Sequence, residues 1–343
     1  MRFTVVGSGA IGGTLGAYMA RAGEQIEFAD RAEDHVAAMR AHGLTIKAFD
    51  GPFTIPVKAA TIGELNGPLD VVLLAVKAQD TEAAVRSILP LLSDDSAVVS
   101  LQNGLCEQVI APLVGAKRTI GGFINFDADY LEPGVIHFAG RGAFYVGEID
   151  GTESERVDEM VRRMSHWGTV RATTNIFGYL WAKLGYANML YATALVDEIM
   201  ADVIGAHRNL MVELACEVYE AAVMEGIRLE PFDGVEPDVY FPRENQDWSA
   251  INRSLDTRIS GMRKSQKPKS GVWRDLAVRK RKTEVDFHLG VVAAAGGRHG
   301  LPMPLTHGVI GMIHDIEESR RKMGWDNIAE LEALLERQSR LAP

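Results

Sequence analysis

The chain has 343 residues, of which 47% are hydrophobic and 24% are charged, and its formal net charge is -10. This length predicts two domains, and this composition is typical of a globular protein. The negative charge argues against nucleic acid or an anionic membrane surface as a partner of the whole chain. Two cysteines, Cys106 and Cys216, predict neither a disulfide framework nor a cysteine-ligated metal site. Because the chain begins with a strand and shows no apolar run of ~18 residues, we expect a cytoplasmic protein.

The first strand runs directly into a glycine-rich turn, and an apolar, alanine-rich helix follows as far as Ala22. The turn has the form G-x-G-x-x-G, in which the glycines allow a tight turn, close approach of a diphosphate and close packing of helix on strand. Unpaired N–H groups at the helix start attract phosphate. The pattern therefore predicts a dinucleotide site made of Gly7, Ser8, Gly9, Ala10, Ile11 and Gly12.

Short apolar strands then alternate with helices, which is typical of a doubly wound, mostly parallel sheet. Further strands are predicted at 25–29, 70–76, 97–101, 119–126 and 169–172, and helices at 33–41, 81–92 and 153–167. Residues 135–138 and 144–147 predict a hairpin at the edge of that sheet. From Ile176 onward the pattern is almost wholly helical. We expect an α/β fold with an N-terminal Rossmann domain, 1–174, an all-α domain, 175–343, and an active site in the cleft between them.

The end of the second strand bears on the choice of dinucleotide. Asp30 is placed to bind the ribose hydroxyls of NAD, whereas Arg31 is placed to bind the 2′-phosphate of NADP. We favour NADP, because the arginine can cover the phosphate while Asp30 turns away to cap the next helix. The alternative for Arg31 is a solvated loop charge.

Two further strands of this predicted sheet end in polar residues. Lys77 follows one strand and Asn103 follows the next, at the edge where open α/β sheets bind ligands. Together they are candidates to hold a substrate carboxylate, the nicotinamide ribose, or both.

Lys183 lies in a strongly apolar stretch, 181–195. Burial there would lower its pKa and suit it to donate a proton near neutral pH. On a helix, Lys183, Ala187 and Tyr191 share one face, whereas Asn188 joins it only if the helix contains a bulge. The alternative is a lysine that extends to solvent from a helix end.

The region from 253 to 282 contains eleven Lys or Arg residues and two acids. It either faces an anionic ligand or forms a solvated helix face. Residues 231–271 are rich in turn formers and predict a long loop or lid. Glu284 is then predicted inside a helix running to about Ala295, with a surface pair to Lys280 as the alternative. His288 follows one turn later, but no second pair has metal-ligand spacing, so we expect no metal.

Taken together, these residues resemble the ketopantoate reductases (2-dehydropantoate 2-reductases) along the whole chain. The matching motifs are G-x-G-A-x-G at 7–12, Ala-Asp-Arg at 29–31, Val-Lys-Ala at 76–78, Gln-Asn-Gly at 102–104, Pro-Gly-Val-Ile-His at 133–137, Trp-x-Lys-Leu at 181–184 and Thr-Glu-Val-Asp at 283–286. The resemblance implies reduction of a branched 2-oxo acid by NADPH, in pantothenate biosynthesis.

The same resemblance implies the roles of individual residues. Lys183 is the proton donor and Glu284 orients the substrate hydroxyl. Asn103 and Lys77 serve cofactor and substrate, and Arg31 binds the 2′-phosphate of NADP. The implied partner is a small-molecule 2-oxo acid, with a possible homodimer.

The sequence departs from the family pattern in the substrate site. Ala187 and Tyr191 stand where the family has asparagines, and Ser270 is the single match to a pair of serines. Ketopantoate stays the leading substrate, and the substrate-binding residues are Asn103, Asn188, Tyr191 and Ser270. Tyr191 and a shifted Asn188 would replace the lost amides if the helix bulges between Lys183 and Asn188. The alternatives are another 2-oxo acid in a remodelled pocket, since lost hydrogen bonds change selectivity, or a non-catalytic NADP(H) sensor.

Overall fold

The computed structural model describes residues 1–265 and 267–341 and separates into two compact units. Unit 1 is Met1–Ile176 and unit 2 begins at Phe177, close to the boundary predicted at 174. In the described ranges, no helix has the length and apolar character needed to cross a membrane.

Unit 1 contains the strands and the first helices. Its strands are β1 Phe3–Val6, β2 Ile26–Asp30, β3 Leu44–Ala48, β4 Phe53–Ile55, β5 Lys58–Thr61, β6 Leu69–Leu74, β7 Leu92–Ser100, β8 Thr119–Ile124, β9 Asp127–Glu132, β10 Val135–Gly140, β11 Phe144–Glu148 and β12 Arg171–Ala172. Its helices are α1 Ala10–Arg21, α2 Glu33–His42, α3 Thr81–Ile88, α4 Glu107–Val114 and α5 Glu155–Met164.

The main sheet has the strand order β12-β11-β8-β7-β6-β1-β2-β5. The strands run parallel except that β11 is antiparallel to β8. β1 is central, and its four residues are buried as expected for a strand covered on both faces. The predicted Rossmann architecture is confirmed, with the carboxyl ends of β1, β6 and β7 adjacent at one edge.

The predicted hairpin at 135–138 and 144–147 is wrong. β10 belongs to a second sheet, of order β4-β3-β10-β9, where it runs parallel to β3 and antiparallel to β9. β11 instead joins the main sheet beside β8. The reason is burial: Ile136 and Phe138 of β10 are inaccessible to solvent and pack in the core of unit 1, which a hairpin on the edge of the main sheet would not cover.

Helix α1 packs against both sheets because small residues line it. A Cβ on Gly12 would lie 2.3 Å from the Gly7 carbonyl oxygen, and one on Gly13 would lie 2.4 Å from Cδ1 of Ile136. Side chains at these two positions would push the helix away from β1 on one side and from β10 on the other. The glycines therefore set how closely the helix start approaches the sheet edge.

In the described residues of unit 2 the regular secondary structure is helical, apart from an isolated bridge between Phe232 and Val235. Its helices are α6 Ile176–Thr193, α7 Met200–Ala206, α8 Arg208–Met224, α9 Pro237–Tyr240, α10 Trp248–Lys264, α11 Gly271–Trp273, α12 Val291–Arg298, α13 Pro304–Glu317 and α14 Trp325–Leu341, with π-helical turns at Arg274–Val278 and Asp286–Gly290. Helix α8 is central, and most of its side chains are buried in the core of the unit.

The predicted long loop at 231–271 is wrong over much of its length, because α10 occupies residues 248–264. Asp247 caps this helix by accepting a hydrogen bond from the Ser249 N–H at 2.8 Å. Ile251 and Leu255, four residues apart, are inaccessible to solvent and pack in the core of unit 2. This apolar face at helical spacing outweighs the polar, turn-forming residues around it.

Candidate functional site

The glycine turn lies over the carboxyl end of β6. Gly7 has φ +93°, and a Cβ on it would lie 2.7 Å from the Ala75 carbonyl carbon and from the Val76 nitrogen. Its N–H donates to the Ala29 carbonyl at 2.9 Å, which ties the turn to β2. A side chain at Gly7 would therefore displace the turn, as the fingerprint predicts.

Gly9 forms the N-terminal cap of α1. In the described part of the chain no side chain caps this end, and a Cβ on Gly9 would meet no atom within 4 Å. Open space before uncapped N–H groups is the environment that binds a phosphate at a helix start. This end of α1 therefore fits the diphosphate of a dinucleotide.

Both carboxylate oxygens of Asp30 accept hydrogen bonds from the backbone. Oδ2 accepts from the Ser8 N–H at 2.8 Å, and Oδ1 accepts from the Ala32 N–H at 3.0 Å. The neighbouring Arg31 has a side chain that is 74% exposed and forms an ion pair with Asp80 at 2.8 Å. The acid is therefore turned toward its own backbone, and the arginine lies on the surface beside the turn that follows β6.

Lys77 and Asn103 lie on two linked loops at this edge. Gln102, which precedes Asn103, donates from Nε2 to the Val76 carbonyl at 2.9 Å and to the Thr81 hydroxyl at 2.7 Å. These bonds join the loop after β7 to the loop after β6, which carries Lys77. Lys77 is partly buried and Asn103 is exposed, and the structure brings both to the edge where the glycine turn lies.

A carboxyl group that the sequence analysis did not single out is buried at the start of α4. Glu107 is 1% exposed, and burial raises its pKa to about 7, while the nearby Ser100 hydroxyl and Gly122 N–H act in the opposite direction. The signal in the sequence is an acid five residues after Gln102 in an otherwise apolar stretch.

In unit 2, Lys183 lies on α6 and is partly buried, and its neighbours in sequence Trp181 and Leu184 are buried. Burial lowers the pKa of Lys183 to about 8, and the negative charge of Asp233 partly opposes this shift. The ammonium group can therefore give up a proton near neutral pH, as the sequence predicts.

Tyr191 is two turns further along α6 and is almost wholly buried. Its hydroxyl lies 3.0 Å from Nδ1 of His288, and the two rings meet edge to face. Burial raises the pKa of Tyr191, and the negative charge of Glu284 contributes to the shift. The structure therefore brings Tyr191 together with the segment of Glu284, and it adds His288, which the sequence analysis weighed only as a metal ligand.

Glu284 precedes its helix rather than lying inside it, which corrects the prediction. It is a bend residue ahead of the π-helical turn Asp286–Gly290, and its carbonyl accepts from the N–H groups of Phe287 and His288 at 3.1 and 3.0 Å. Its side chain is partly buried.

Asn188 would join the face of Lys183 only through a bulge in the helix, and it does not join that face. Helix α6 is a regular α-helix throughout, and Asn188 is inaccessible to solvent. Its amide nitrogen donates to the Leu214 carbonyl at 2.8 Å and to the Thr306 hydroxyl at 3.0 Å. These bonds join α6 to α8 and α13, so the amide supports the core of unit 2. We therefore do not propose Asn188 as a substrate-binding residue.

Ser270 caps α11 by accepting a hydrogen bond from the Trp273 N–H at 3.1 Å, and it is 7% exposed. Around it, several cations of the basic region 253–282 pair with acids of unit 2. These pairs are Arg263 with Asp202, Lys269 with Asp197, and Arg279 and Arg281 with Asp275. At least four of the eleven cations in this region are therefore paired with acids of unit 2 rather than left for an anionic ligand.

The chain matches a known protein family in both of its units. Residues 3–151 match the family described as "Ketopantoate reductase PanE/ApbA", and residues 175–317 match "Ketopantoate reductase PanE/ApbA C terminal". The 2-dehydropantoate 2-reductase of Pyrococcus horikoshii is 27% identical over 308 residues, which is 89% of this chain and 94% of the relative. That of Mesorhizobium japonicum is 26% identical over 344 residues, which is 93% and 99% of the two chains.

Solved structures share the fold. The 2-dehydropantoate 2-reductase from Geobacter metallireducens has a TM-score of 0.78 and 26% identity, over 92% of this chain and 99% of the other. A D-mandelate dehydrogenase in a ternary structure with NADH and anilino(oxo)acetate has a TM-score of 0.80 at 19% identity, over 93% and 99%. At that identity the second likeness concerns the fold alone.

Proposed function

We propose, because the chain belongs to the ketopantoate reductase PanE/ApbA family, that it reduces a 2-oxo acid to the 2-hydroxy acid with NADPH. Membership in the family makes the chain an oxidoreductase that acts on CH–OH groups and uses a nicotinamide cofactor. The leading substrate is ketopantoate, which would be reduced to pantoate. The observation that carries the proposal is Lys183, a partly buried lysine whose pKa is lowered to about 8, in a chain that also has an open glycine turn.

The residues of unit 1 would hold the dinucleotide. The start of α1 at Gly9 offers uncapped N–H groups to the diphosphate, and Lys77 and Asn103 reach the same sheet edge. When bound, the nicotinamide supplies a hydride to the carbonyl carbon.

The arrangement around β2 supports NADPH over NADH. Both oxygens of Asp30 already accept backbone N–H bonds, whereas the guanidinium of Arg31 is exposed beside the turn. An arginine at this place suits a 2′-phosphate, to which it can make charge-assisted hydrogen bonds. Exchange of the surface partner Asp80 for a phosphate costs little, because exposed ion pairs contribute little stability.

The residues of unit 2 would handle the proton and the substrate. We propose that Lys183 holds the proton that the carbonyl oxygen receives as the carbon is reduced, and that Glu284 orients the resulting hydroxyl. A lysine whose pKa lies near the working pH is an effective general acid. Burial is the main cause of the raised pKa of Tyr191, and the negative charge of Glu284 adds to it, which supports the placement of this acid near the face of α6 that carries Lys183.

One observation favours a second candidate substrate. The hydroxyl of Tyr191 already pairs with His288, and Asn188 is committed to the core. The Tyr191 hydroxyl and the Asn188 amide would replace the two asparagines of the family pattern, but both already have hydrogen-bond partners within unit 2. This supports a substrate that is a 2-oxo acid of different shape from ketopantoate.

Steady-state kinetics with NADPH and a panel of 2-oxo acids tests the proposal. If ketopantoate is the substrate, kcat/KM falls in the usual range of roughly 10⁴ to 10⁸ M⁻¹s⁻¹. A kcat/KM for ketopantoate far below that range, together with a higher kcat/KM for another 2-oxo acid of the panel, would show that the pocket selects a different substrate. Binding of NADPH with no turnover of any member would contradict the proposed reaction and favour the sensor.

The same assay with Arg31→Ala tests the cofactor. Loss of a charge-assisted contact should raise KM for NADPH by roughly 10- to 100-fold and leave KM for NADH nearly unchanged. Arg86→Ala is the matched control, since Arg86 is another exposed arginine paired with a surface acid, Glu82. Equal weakening of both cofactors by Arg31→Ala would show that Arg31 does not bind the 2′-phosphate.

A further inference from the structure

The carbonyl between the first two glycines of the turn is held by a histidine that the sequence analysis did not use. Ser8 is inaccessible to solvent, its N–H donates to Asp30, and its hydroxyl donates to the Ala29 carbonyl at 3.1 Å. Its own carbonyl oxygen lies 3.0 Å from Nε2 of His35, which is on the first turn of α2 and is 1% exposed. All three polar groups of Ser8 are therefore engaged by β2 and α2.

The two contacts of His35 determine which nitrogen carries the proton. The Gly134 N–H donates to Nδ1 at 2.9 Å, so Nδ1 must present its lone pair. The Ser8 carbonyl can only accept, so Nε2 must carry the hydrogen. His35 is therefore a neutral ring with its hydrogen on Nε2, placed between two backbone groups.

The ring cannot turn away from Ser8 without loss of other contacts. Gly134 occupies the turn between β9 and β10 at φ +77°, and its carbonyl accepts from the Thr45 N–H of β3 at 2.9 Å. Tyr130 of β9 meets the imidazole edge to face, with 5.1 Å between ring centroids. The second sheet therefore holds His35 in the orientation that reaches the glycine turn.

Peptide geometry transmits this contact to Gly9. In a planar trans peptide the C=O and the following N–H point in opposite directions. Because His35 holds the Ser8 carbonyl on the side of α2, the Gly9 N–H points to the other side. The space beside Gly9 is open, because a Cβ built on this residue would meet no atom within 4 Å.

We propose that His35 is a positioning residue for the dinucleotide, which fixes the Ser8–Gly9 peptide so that the Gly9 N–H faces the diphosphate. This inference rests on the proposed function, because it requires that the chain bind a nicotinamide dinucleotide. His35 acts through Ser8 and makes no contact of its own with the cofactor. It gives the second sheet a role in cofactor binding through Gly134.

Two substitutions separate this role from simple support of the fold. In His35→Asn the shorter amide can accept from Gly134 near the position of Nδ1, but no donor reaches Ser8. In His35→Gln the amide nitrogen can donate to Ser8 near the position of Nε2, but the acceptor for Gly134 is lost. Each variant therefore loses one of the two hydrogen bonds, and only the asparagine loses the one that orients Gly9.

The readouts are the dissociation constant of NADPH, from the fluorescence of the reduced nicotinamide, and the midpoint of thermal unfolding. Both variants should unfold at a lower temperature than wild type. His35→Asn should bind NADPH about 3- to 10-fold more weakly, since one oriented hydrogen bond is lost, and His35→Gln should bind within about twofold of wild type. His42→Asn, at the exposed last turn of the same helix, is the control and should change neither quantity.

Equal NADPH affinity of the two His35 variants would overturn the inference and leave the proposed function intact. Failure of wild type to bind either NADPH or NADH would instead overturn the proposed function, and the inference with it. A measurement on wild type covers the case in which both variants fail to fold. The ¹⁵N shifts of His35 should show Nε2 protonated at neutral pH, and protonation on Nδ1 would overturn the inference.

Discussion

Burial shifts the pKa values of two ionisable side chains toward 7, one from above and one from below. It lowers the pKa of Lys183 to about 8 and raises that of Glu107 to about 7, because loss of hydration disfavours the charged form in both cases. The two groups differ in what surrounds them. Lys183 is partly exposed on a helix face, whereas Glu107 is enclosed in the fold.

At the scale of the residue, Lys183→Ala should lower kcat by roughly 10²- to 10⁴-fold, the usual contribution of a general acid. The dissociation constant of NADPH should stay close to that of wild type, since the glycine turn is unaltered. Lys58→Ala serves as the control, because Lys58 is an exposed lysine paired with Glu27. An unchanged kcat in Lys183→Ala would remove this residue from the mechanism.

The pH dependence of wild type gives an independent check on the same residue. The reaction needs the protonated lysine, so kcat/KM for the 2-oxo acid should fall as pH rises through about 8. Initial rates between pH 6 and 10 at saturating NADPH measure this limb. A profile that stays flat to pH 10 would mean that the proton comes from another group.

At the scale of the element, the glycines of the first turn separate into packing and binding positions. Gly12→Ala places a Cβ 2.3 Å from the backbone oxygen of Gly7, so α1 must shift, and we expect the free energy of unfolding to fall by ~1–3 kcal/mol or more. A Cβ in Gly9→Ala meets no atom within 4 Å, and the extended backbone of Gly9 (φ −69°, ψ −154°) lacks the positive φ that strains alanine.

Urea unfolding and NADPH titration together test this separation. Gly9→Ala should unfold like wild type but bind NADPH at least about tenfold more weakly, because the added methyl takes space that we assign to the diphosphate. If Gly9→Ala binds NADPH as wild type does, the diphosphate lies elsewhere. If Gly12→Ala keeps wild-type stability, the close packing of α1 on β1 does not hold.

At the scale of the whole molecule, Glu107 couples folding to pH. Its pKa is raised from 4.5 in the unfolded chain to about 7, so the neutral form is the one that the fold favours. Its contribution to stability is therefore complete below pH 4.5 and is lost as pH rises to about 7. One pKa unit corresponds to about 1.4 kcal/mol, so the loss amounts to ~3 kcal/mol.

Glu107→Gln removes this dependence, because the amide stays neutral at every pH. The unfolding free energy of Glu107→Gln minus that of wild type should grow by ~3 kcal/mol between pH 4.5 and 7 and then stay constant. Glu82→Gln, at an exposed carboxyl paired with Arg86, should follow wild type throughout. A difference between Glu107→Gln and wild type that does not vary with pH would show that Glu107 is not buried in its neutral form.

Much of the fold was predictable because the signals are local. The first strand, the glycine turn and α1 follow one another within the first 21 residues, and each depends on neighbours a few positions away. The alternation of strands and helices, and its change to helix alone near Ile176, are likewise properties of short windows. The loss of hydration at Lys183 also follows from the apolar residues beside it in the chain.

Tertiary structure decided which distant groups meet. β10 pairs with β3 rather than with β11, and α10 forms within a segment that resembles a loop, because burial of apolar faces outweighs turn propensity. The roles of Asn188 and His35 depend on partners far along the chain, since Asn188 binds Thr306, and His35 binds a glycine 99 residues away. A sequence read through local patterns determines the residues that can donate and accept, but only the packed chain determines which of them lie within hydrogen-bond distance.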